Sequence, residues 1–141
     1  PLLSDAEFEL LLLTYLAQAR DTPIEEAWIS EKDLPGGSLF FRGPHALRTE
    51  ELKGTFGKDP EGFLQAGKRL GGVELLFGDK AFALNVLPKV PLAYLLWKES
   101  EEFPARVNVL FDSTIQTHFS LDGIWCVAAE VSQRLLEAGR P

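Results

Sequence analysis

The sequence predicts an α+β fold, with an antiparallel sheet of about four strands and helices packed on it. Helical periodicity dominates as far as Gly71-Gly72 and returns near the C-terminus. Between these regions the apolar period changes to two, over residues 73–87 and 91–112. Each of the two segments contains a central turn, so they predict two hairpins.

The N-terminal segment predicts a helix from Ser4 to about Arg20. Ser4 and Glu7 have the spacing of a capping box, in which each side chain accepts from the other's backbone N–H. Leu10 and Leu13 lie beside the apolar stripe, and we expect this helix to be buried on more than one side. The stripe consists of Phe8, Leu11, Leu12, Tyr15, Leu16 and Ala19.

The region between the first helix and Gly57 is the least regular. Ala27-Trp28-Ile29 fits either a strand or an anchor laid on the core. Gly36-Gly37 allows positive φ or a close backbone approach. Residues 47–56 predict a helix that Gly57 ends.

A second clear helix begins at Asp59-Pro60-Glu61. Asp59 is a good capping residue, Pro60 suits the first helical position, and Glu61 complements the helix dipole. Gly71-Gly72 ends the helix.

The first predicted hairpin joins Val73–Phe77 to Ala81–Leu87 through Gly78-Asp79-Lys80. Pro88 and Pro91 follow it. Because proline lacks a backbone N–H, we expect these two residues to bracket a bend and to exclude a central strand there.

The second hairpin contains the strand predicted to be central. Leu92–Trp97 is apolar on both faces, as expected for a strand covered on both sides. Residues 106–111 alternate and lead to Asp112. A last helix is predicted over about 122–138, ended by Gly139.

The length of 141 residues suits one domain, and the 45% apolar content is sufficient for a core. The chain begins at Pro1 rather than Met, so we expect an N-terminal portion of the native chain to be missing.

The totals argue against several classes of function. The net charge of −7 and the lack of a basic stripe argue against nucleic acid as a partner. The single Cys126 excludes an intramolecular disulfide and any iron–sulfur or metal site built from this chain's cysteines, and it favours a reducing, cytoplasmic setting. We interpret it as a buried, inert thiol. No apolar run approaches the ~20 residues that span a bilayer, so no membrane partner is expected.

Few side chains carry recognisable chemistry, and each also has a structural interpretation. His45 could act as a base or ligand, or as a loop histidine bonded to backbone. His118 fits a packing or surface position. Glu102 stands in an acidic turn, and Asp112 at a strand end fits a helix cap or a catalytic carboxylate. Motifs of phosphate loops, dinucleotide folds, serine hydrolases and zinc proteases are absent.

A series of short phrases resembles the domain-of-unknown-function family 3786 of anaerobic bacteria and archaea. Some members carry an upstream iron–sulfur domain. The resemblance implies a setting in anaerobic redox or corrinoid-linked one-carbon metabolism, and it names neither an activity nor a cofactor. The phrases are Trp28-Ile29-Ser30, Leu34-Pro35-Gly36-Gly37, Phe40 to His45, Leu70-Gly71-Gly72, Gly78-Asp79, Leu87 to Leu92, Leu96-Trp97, Glu101 to Ala105 and Leu110 to Ser113.

Three functions remain open. The first is a non-catalytic domain that binds a cofactor-like small molecule or a redox protein partner, on a surface made by Gly36-Gly37, Phe41 to His45, Trp97 and Glu101 to Pro104. The second is an enzyme that uses His45 with Asp112 or Glu102 as acid and base. The third is a structural domain that docks through an exposed apolar patch. The candidate ligand-binding residues are Gly36, Gly37, Phe41, Arg42, His45, Trp97, Glu102 and Asp112.

Overall fold

The computed structural model describes residues 5–18 and 20–140. Its elements, in chain order, are helix α1 (Asp5–Gln18), strand β1 (Trp28–Ser30), helices α2 (Gly37–Phe40), α3 (Thr49–Phe56) and α4 (Pro60–Arg69), strands β2 (Val73–Leu75), β3 (Lys80–Leu87), β4 (Val90–Trp97) and β5 (Arg106–Asp112), and helix α5 (Leu121–Ala138). Short 3-10 helices cover Gly43–His45 and Ile115–Thr117.

The α+β prediction is confirmed. The sheet is antiparallel with strand order β1-β5-β4-β3-β2, so it has five strands rather than about four. The additional strand is Trp28–Ser30, which pairs with the end of β5, Trp28 opposite Asp112. Strand β4 is central, as its two apolar faces predicted.

Three helices pack on one face of the sheet through large side chains. On α4, Phe63 lies 4.9 Å from Phe82 of β3, measured between ring centroids. On α5, Ser132 hydrogen-bonds the hydroxyl of Tyr94 of β4 at 3.0 Å. Phe56 of α3 contacts Phe63 at 5.6 Å. These contacts place the core between the sheet and the layer formed by α3, α4 and α5.

The expectation for Pro91 is wrong. Pro91 is buried inside β4, opposite Asn85, at a point where the pairing of β3 and β4 shifts register. A bulge of this kind removes the need for a ladder N–H, which is what proline lacks. Both predicted hairpins are present, as β2 with β3 and as β4 with β5, and the pairing of β3 with β4 joins them into one meander.

The expectation for the first helix is also wrong in part. Leu10, Leu13 and Leu16 are 64%, 63% and 73% exposed, whereas Tyr15 is buried against Phe119. Helix α1 thus contacts the body on one side, because α5 already covers the sheet behind it. The predicted capping box at Ser4 lies outside the described residues. Within the described residues, no helix has the length and apolar character needed to cross a bilayer.

Helices α3, α4 and α5 begin or end at capping residues that the sequence indicates. The Asp59 carboxylate accepts from Gly62 N at 2.9 Å and starts α4, with Pro60 at the first position. Helix α5 starts after Ser120, whose hydroxyl accepts from Gly123 N. Gly57 and Gly139 stand at the ends of α3 and α5 as expected.

His118 is a core residue with unsatisfied polar atoms. It is 1% exposed, and among the described residues neither Nδ1 nor Nε2 has a hydrogen-bond partner. The ring packs edge-on against Tyr15, with centroids 6.0 Å apart. Burial lowers the pKa of His118, the Lys89 charge lowers it further, and Asp112 opposes them. The folded protein therefore favours the neutral imidazole.

Two glycine substitutions test how closely α4 approaches the sheet. A Cβ on Gly67 would lie 2.5 Å from the Phe82 ring, which is fully buried, whereas a Cβ on Gly54 of α3 would meet no described atom within 4 Å. We expect Gly67→Ala to lower the free energy of unfolding by about 1–3 kcal/mol through overpacking. The matched Gly54→Ala should raise it by about 0.4–1 kcal/mol, because alanine restricts the unfolded chain. Urea unfolding of both variants measures this, and equal effects would contradict the close approach.

The pH dependence of stability tests the environment of His118. In the unfolded chain His118 takes up a proton as the pH falls through its ordinary pKa of 6.5, whereas in the folded chain it does so only at a lower pH. The free energy of unfolding therefore decreases as the pH falls from 6.5 towards the pKa of the folded state. His118→Leu keeps the volume and removes both unpartnered nitrogens, so we expect it to flatten this slope. Free energies of unfolding between about pH 7.5 and about pH 5 avoid most carboxylate titration. An unchanged slope in the variant would show that His118 is not protonated differentially.

Candidate functional site

A cleft of about 690 Å³ lies at the end of the sheet where β4 stops and β5 begins. It is called the Trp97 cleft below. The strands, helix α3 and the turn between β4 and β5 each supply part of its wall. The lining includes Trp97, Lys98 and Arg106 of the sheet end, Phe103 and Pro104 of the turn, Glu50 and Lys53 of α3, and Asp79.

The turn between β2 and β3 forms one side of this cleft. Gly78 has φ of 56°, and a Cβ there would lie 2.7 Å from Leu95 Cδ1, so the position requires glycine. Asp79 N donates to Leu96 O at 3.0 Å, and its Oδ2 accepts from Lys98 N at 2.8 Å. The Gly78-Asp79 pair therefore fixes the backbone on either side of Trp97.

The turn between β4 and β5 forms the opposite side. Ser100 N donates to Phe103 O at 2.9 Å, while Ser100 Oγ accepts from Phe103 N at 3.0 Å. Glu99 N donates to Gly57 O at 3.0 Å, and a Cβ on Gly57 would lie 2.8 Å from that of Ala105. The turn is thus held against the end of α3, and Phe103 stays 68% exposed at the rim.

The cleft combines an aromatic surface with excess positive charge. Trp97 is 41% exposed, and the Arg106 guanidinium lies 5.5 Å from the centre of its ring. Among the residues lining the cleft, three cations, Lys53, Lys98 and Arg106, face two carboxylates, those of Glu50 and Asp79. Lys53 pairs with Glu50 at 2.7 Å. The lining of the cleft therefore carries one more positive than negative charge, and the adjoining turn carries the exposed carboxylates of Glu101 and Glu102.

The structure brings few of the predicted site residues to this cleft. Trp97 lines it, and Glu102 lies in the exposed turn next to Phe103. The sequence offered no sign that Lys53 would join Trp97, since Lys53 belongs to a helix more than forty positions earlier, whereas the predicted hairpin over residues 91–112 brings Arg106 close to Trp97. Phe103 belongs to the turn from Glu101 to Pro104, which was predicted to share a binding surface with Trp97.

A second group of predicted residues forms the loop between β1 and α3. Gly36 has φ of 78°, and a Cβ on Gly37 would lie 1.9 Å from Glu31 O. The His45 ring stacks on Phe40 at 4.5 Å and meets Trp125 of α5 edge-on at 5.6 Å.

Polar and aromatic side chains hold the loop between β1 and α3 in place. Arg42 Nε donates to Ser38 O at 2.7 Å, and the Phe41 ring meets Phe40 edge-on at 5.1 Å. Trp125 Nε1 donates to Ala46 O at 3.4 Å. These contacts hold the loop, including Gly36, Gly37 and His45, against the first turns of α5. Packing therefore explains why glycine and histidine occupy these positions.

Asp112 occupies the other end of β5 and is 1% exposed. Its Oδ2 accepts from Thr114 N at 3.1 Å, from the Thr114 hydroxyl and from Glu25 N at 3.4 Å. Burial raises the pKa of Asp112, but the hydrogen bonds from Thr114 and from the backbone of Glu25 and Glu26 outweigh it and leave the pKa below its usual value. Asp112 thus closes the turn after β5 rather than capping a helix, while its buried Oδ1 has no partner within the described structure.

The acid–base combination proposed for an enzyme is not assembled. Arg106 pairs with Trp97 at the cleft, so Asp112 lies six residues further along β5, about 20 Å away, and far from the turn with Glu102. Within the described part of the chain, no hydrogen bond joins His45 to either carboxylate. The structure therefore places His45, Glu102 and Asp112 in three separate surroundings.

Two other chemistries have little support from the described residues. Cys126 is half-buried rather than buried, and burial, with Asp122 and Glu7 nearby, raises the pKa of its thiol, which makes it a weak nucleophile. In residues 5–18 and 20–140, no group of three or more His, Cys, Asp or Glu side chains is arranged to hold a metal ion.

Of the comparisons with known proteins, the one with family models found a match. No curated protein and no solved structure matches the chain. The model of a family described as a domain of unknown function, DUF3786, matches residues 3–134. Because this match covers nearly the whole chain, the protein belongs to the DUF3786 family.

Proposed function

We propose that this chain is a non-catalytic binding domain whose Trp97 cleft holds a small, planar, anionic molecule. The observation that carries the proposal is the half-exposed Trp97 ring, with Arg106 beside it, in the wall of a cavity of about 690 Å³. Ligand pockets of proteins occupy roughly 300–1,000 Å³, and this cleft falls within that range.

The chemistry of the cleft favours a ligand with a flat ring and a negative group. An indole face stacks well on planar rings, and this one is exposed at a rigid strand end. Arg106 and Lys98 can donate to a carboxylate or phosphate at the edge of such a ring. Because the Asp79 carboxylate accepts from Lys98 N and the Ser100 hydroxyl accepts from Phe103 N, both walls are held and the ligand would meet a preformed site.

A redox protein partner is the second candidate for the same surface. Trp97 and Phe103 are exposed side by side with Arg106, and Trp and Arg are the residue types that most often dominate protein interfaces. The family resemblance favours a partner from anaerobic iron–sulfur or corrinoid-linked metabolism, in a reducing cytoplasm. A purely structural docking domain would use the same exposed side chains without a ligand.

A fluorescent probe tests the proposal. Anilinonaphthalene sulfonate is an anion with a flat naphthalene ring, and we expect it to bind the wild-type protein saturably at one site. Trp97→Ala removes the stacking surface and should weaken binding at least about tenfold, which corresponds to roughly 1.4 kcal/mol. Fluorescence titration measures the dissociation constants.

Two control variants separate the cleft from other apolar surface. Trp125→Phe changes a tryptophan outside the cleft, and Leu13→Ser reduces the exposed apolar row of α1. Both should bind the probe as the wild type does. If Trp97→Ala binds with unchanged affinity, or if Leu13→Ser abolishes binding, the probe does not occupy the Trp97 cleft and the proposal is wrong.

A further inference from the structure

A second cavity, of about 370 Å³, lies between α1 and the rest of the molecule. It is called the α1 pocket below. Its walls include Phe8 and Leu11 of α1, Leu84 and Leu87 of β3, and Glu130, Val131 and Arg134 of α5. The pairing of β3 with β4 places Leu87 at the end of the sheet opposite Trp97, so the two cavities are separate.

The lining of the α1 pocket is largely aliphatic and aromatic, and its polar residues are Asn85 and the ion pair of Glu130 with Arg134. Glu130 is 9% exposed, and its Oε1 accepts from Arg134 Nε at 3.1 Å. Its Oε2 is buried and has no hydrogen-bond partner among residues 5–18 and 20–140. Buried polar atoms in proteins almost always have partners, and leaving one unpaired costs about 1–3 kcal/mol.

We propose that the α1 pocket binds a small, uncharged, apolar molecule that donates one hydrogen bond to Glu130 Oε2. The two charged residues of the lining, Glu130 and Arg134, are paired with each other, and the mostly apolar remainder disfavours a further charge. Arg134 already pairs with Glu130, so a cationic ligand would bring an uncompensated positive charge into an apolar cavity. A neutral N–H or O–H donor satisfies the carboxylate oxygen without adding charge.

The sequence contained a signal for this site. Val127, Glu130, Val131 and Arg134 follow one helical row, so Glu130 stands within an apolar stripe of α5. A carboxylate in such a position is usually exposed. In this fold α1 covers it, because Phe8 and Leu11 close the pocket from outside.

Indole and N-methylindole form a matched pair of probes, because they differ in the single N–H donor. We expect indole to bind the wild-type protein about tenfold more tightly than N-methylindole, the ratio expected when one hydrogen bond to a carboxylate is lost. A two-dimensional NMR titration measures both affinities. The perturbed backbone amides should fall on α1, α5 and the end of β3.

Glu130→Gln tests the role of the unpartnered oxygen. Since Arg134 Nε requires an acceptor, the glutamine carbonyl should face Arg134 and its NH₂ should face the pocket, where it cannot accept from indole. The variant should therefore lose the preference for indole. Glu137→Gln, which neutralises a carboxylate of α5 outside the pocket, should keep it.

The comparison of indole with N-methylindole on the wild-type protein tests the proposal even if Glu130→Gln folds poorly. Equal affinity of the wild type for the two probes, absence of binding of both, or amide changes confined to the Trp97 cleft would overturn the proposal. The same preference in Glu130→Gln as in the wild type would also overturn it. Trp97→Ala should leave indole binding at the α1 pocket unchanged, so failure of this proposal is distinguishable from failure of the proposed function.

Discussion

A chain of aromatic contacts joins the sheet to the helices, and the rest of the structure depends on it. Phe56 of α3 touches Phe63 of α4, Phe63 touches Phe82 of β3, and Phe82 stacks on Tyr94 of β4 at 5.7 Å. The buried Tyr94 hydroxyl then hydrogen-bonds Ser132 of α5. Because burial raises the pKa of Tyr94, the phenol stays protonated and keeps this bond.

This aromatic chain determines where the Trp97 cleft and the α1 pocket can form. It fills the centre of the helix–sheet layer, so space remains at the two ends of the sheet. At one end, the glycines at 57 and 78 let two turns close around Trp97. At the other end, α1 lies over α5 and β3 and leaves a gap beside Glu130. The Trp97 cleft is bordered by several charged side chains, whereas the α1 pocket is mostly apolar with one ion pair, so they suit different ligands.

Local rules predicted the regular part of the fold. The Asp59 cap, the change of period after Gly72 and the two apolar faces of Leu92–Trp97 depend on neighbours in sequence, and the structure follows them. Pro91 could not be placed in the same way, because its tolerance depends on a register shift opposite Asn85. The exposure of Leu13 depends on which face of α5 is free to contact α1. That face is determined by tertiary packing and not by neighbours in sequence.

The candidate site was only partly predictable for the same reason. Gly36, Gly37 and His45 looked purposeful in the sequence, and the structure gives them tight packing roles in one loop. Trp97 was identified as an aromatic residue near a charged turn. Its partner Arg106 is nine positions away across the turn of the predicted hairpin, but the sequence does not fix the register that places the two residues opposite each other.

Native mass spectrometry of the protein isolated without oxygen tests the central claim, that the Trp97 cleft holds a small molecule, most directly. We predict one equivalent of added mass on the wild-type protein, released on denaturation and absent from Trp97→Ala. A wild-type protein of bare mass, or a Trp97→Ala variant that retains the added mass, would contradict this claim.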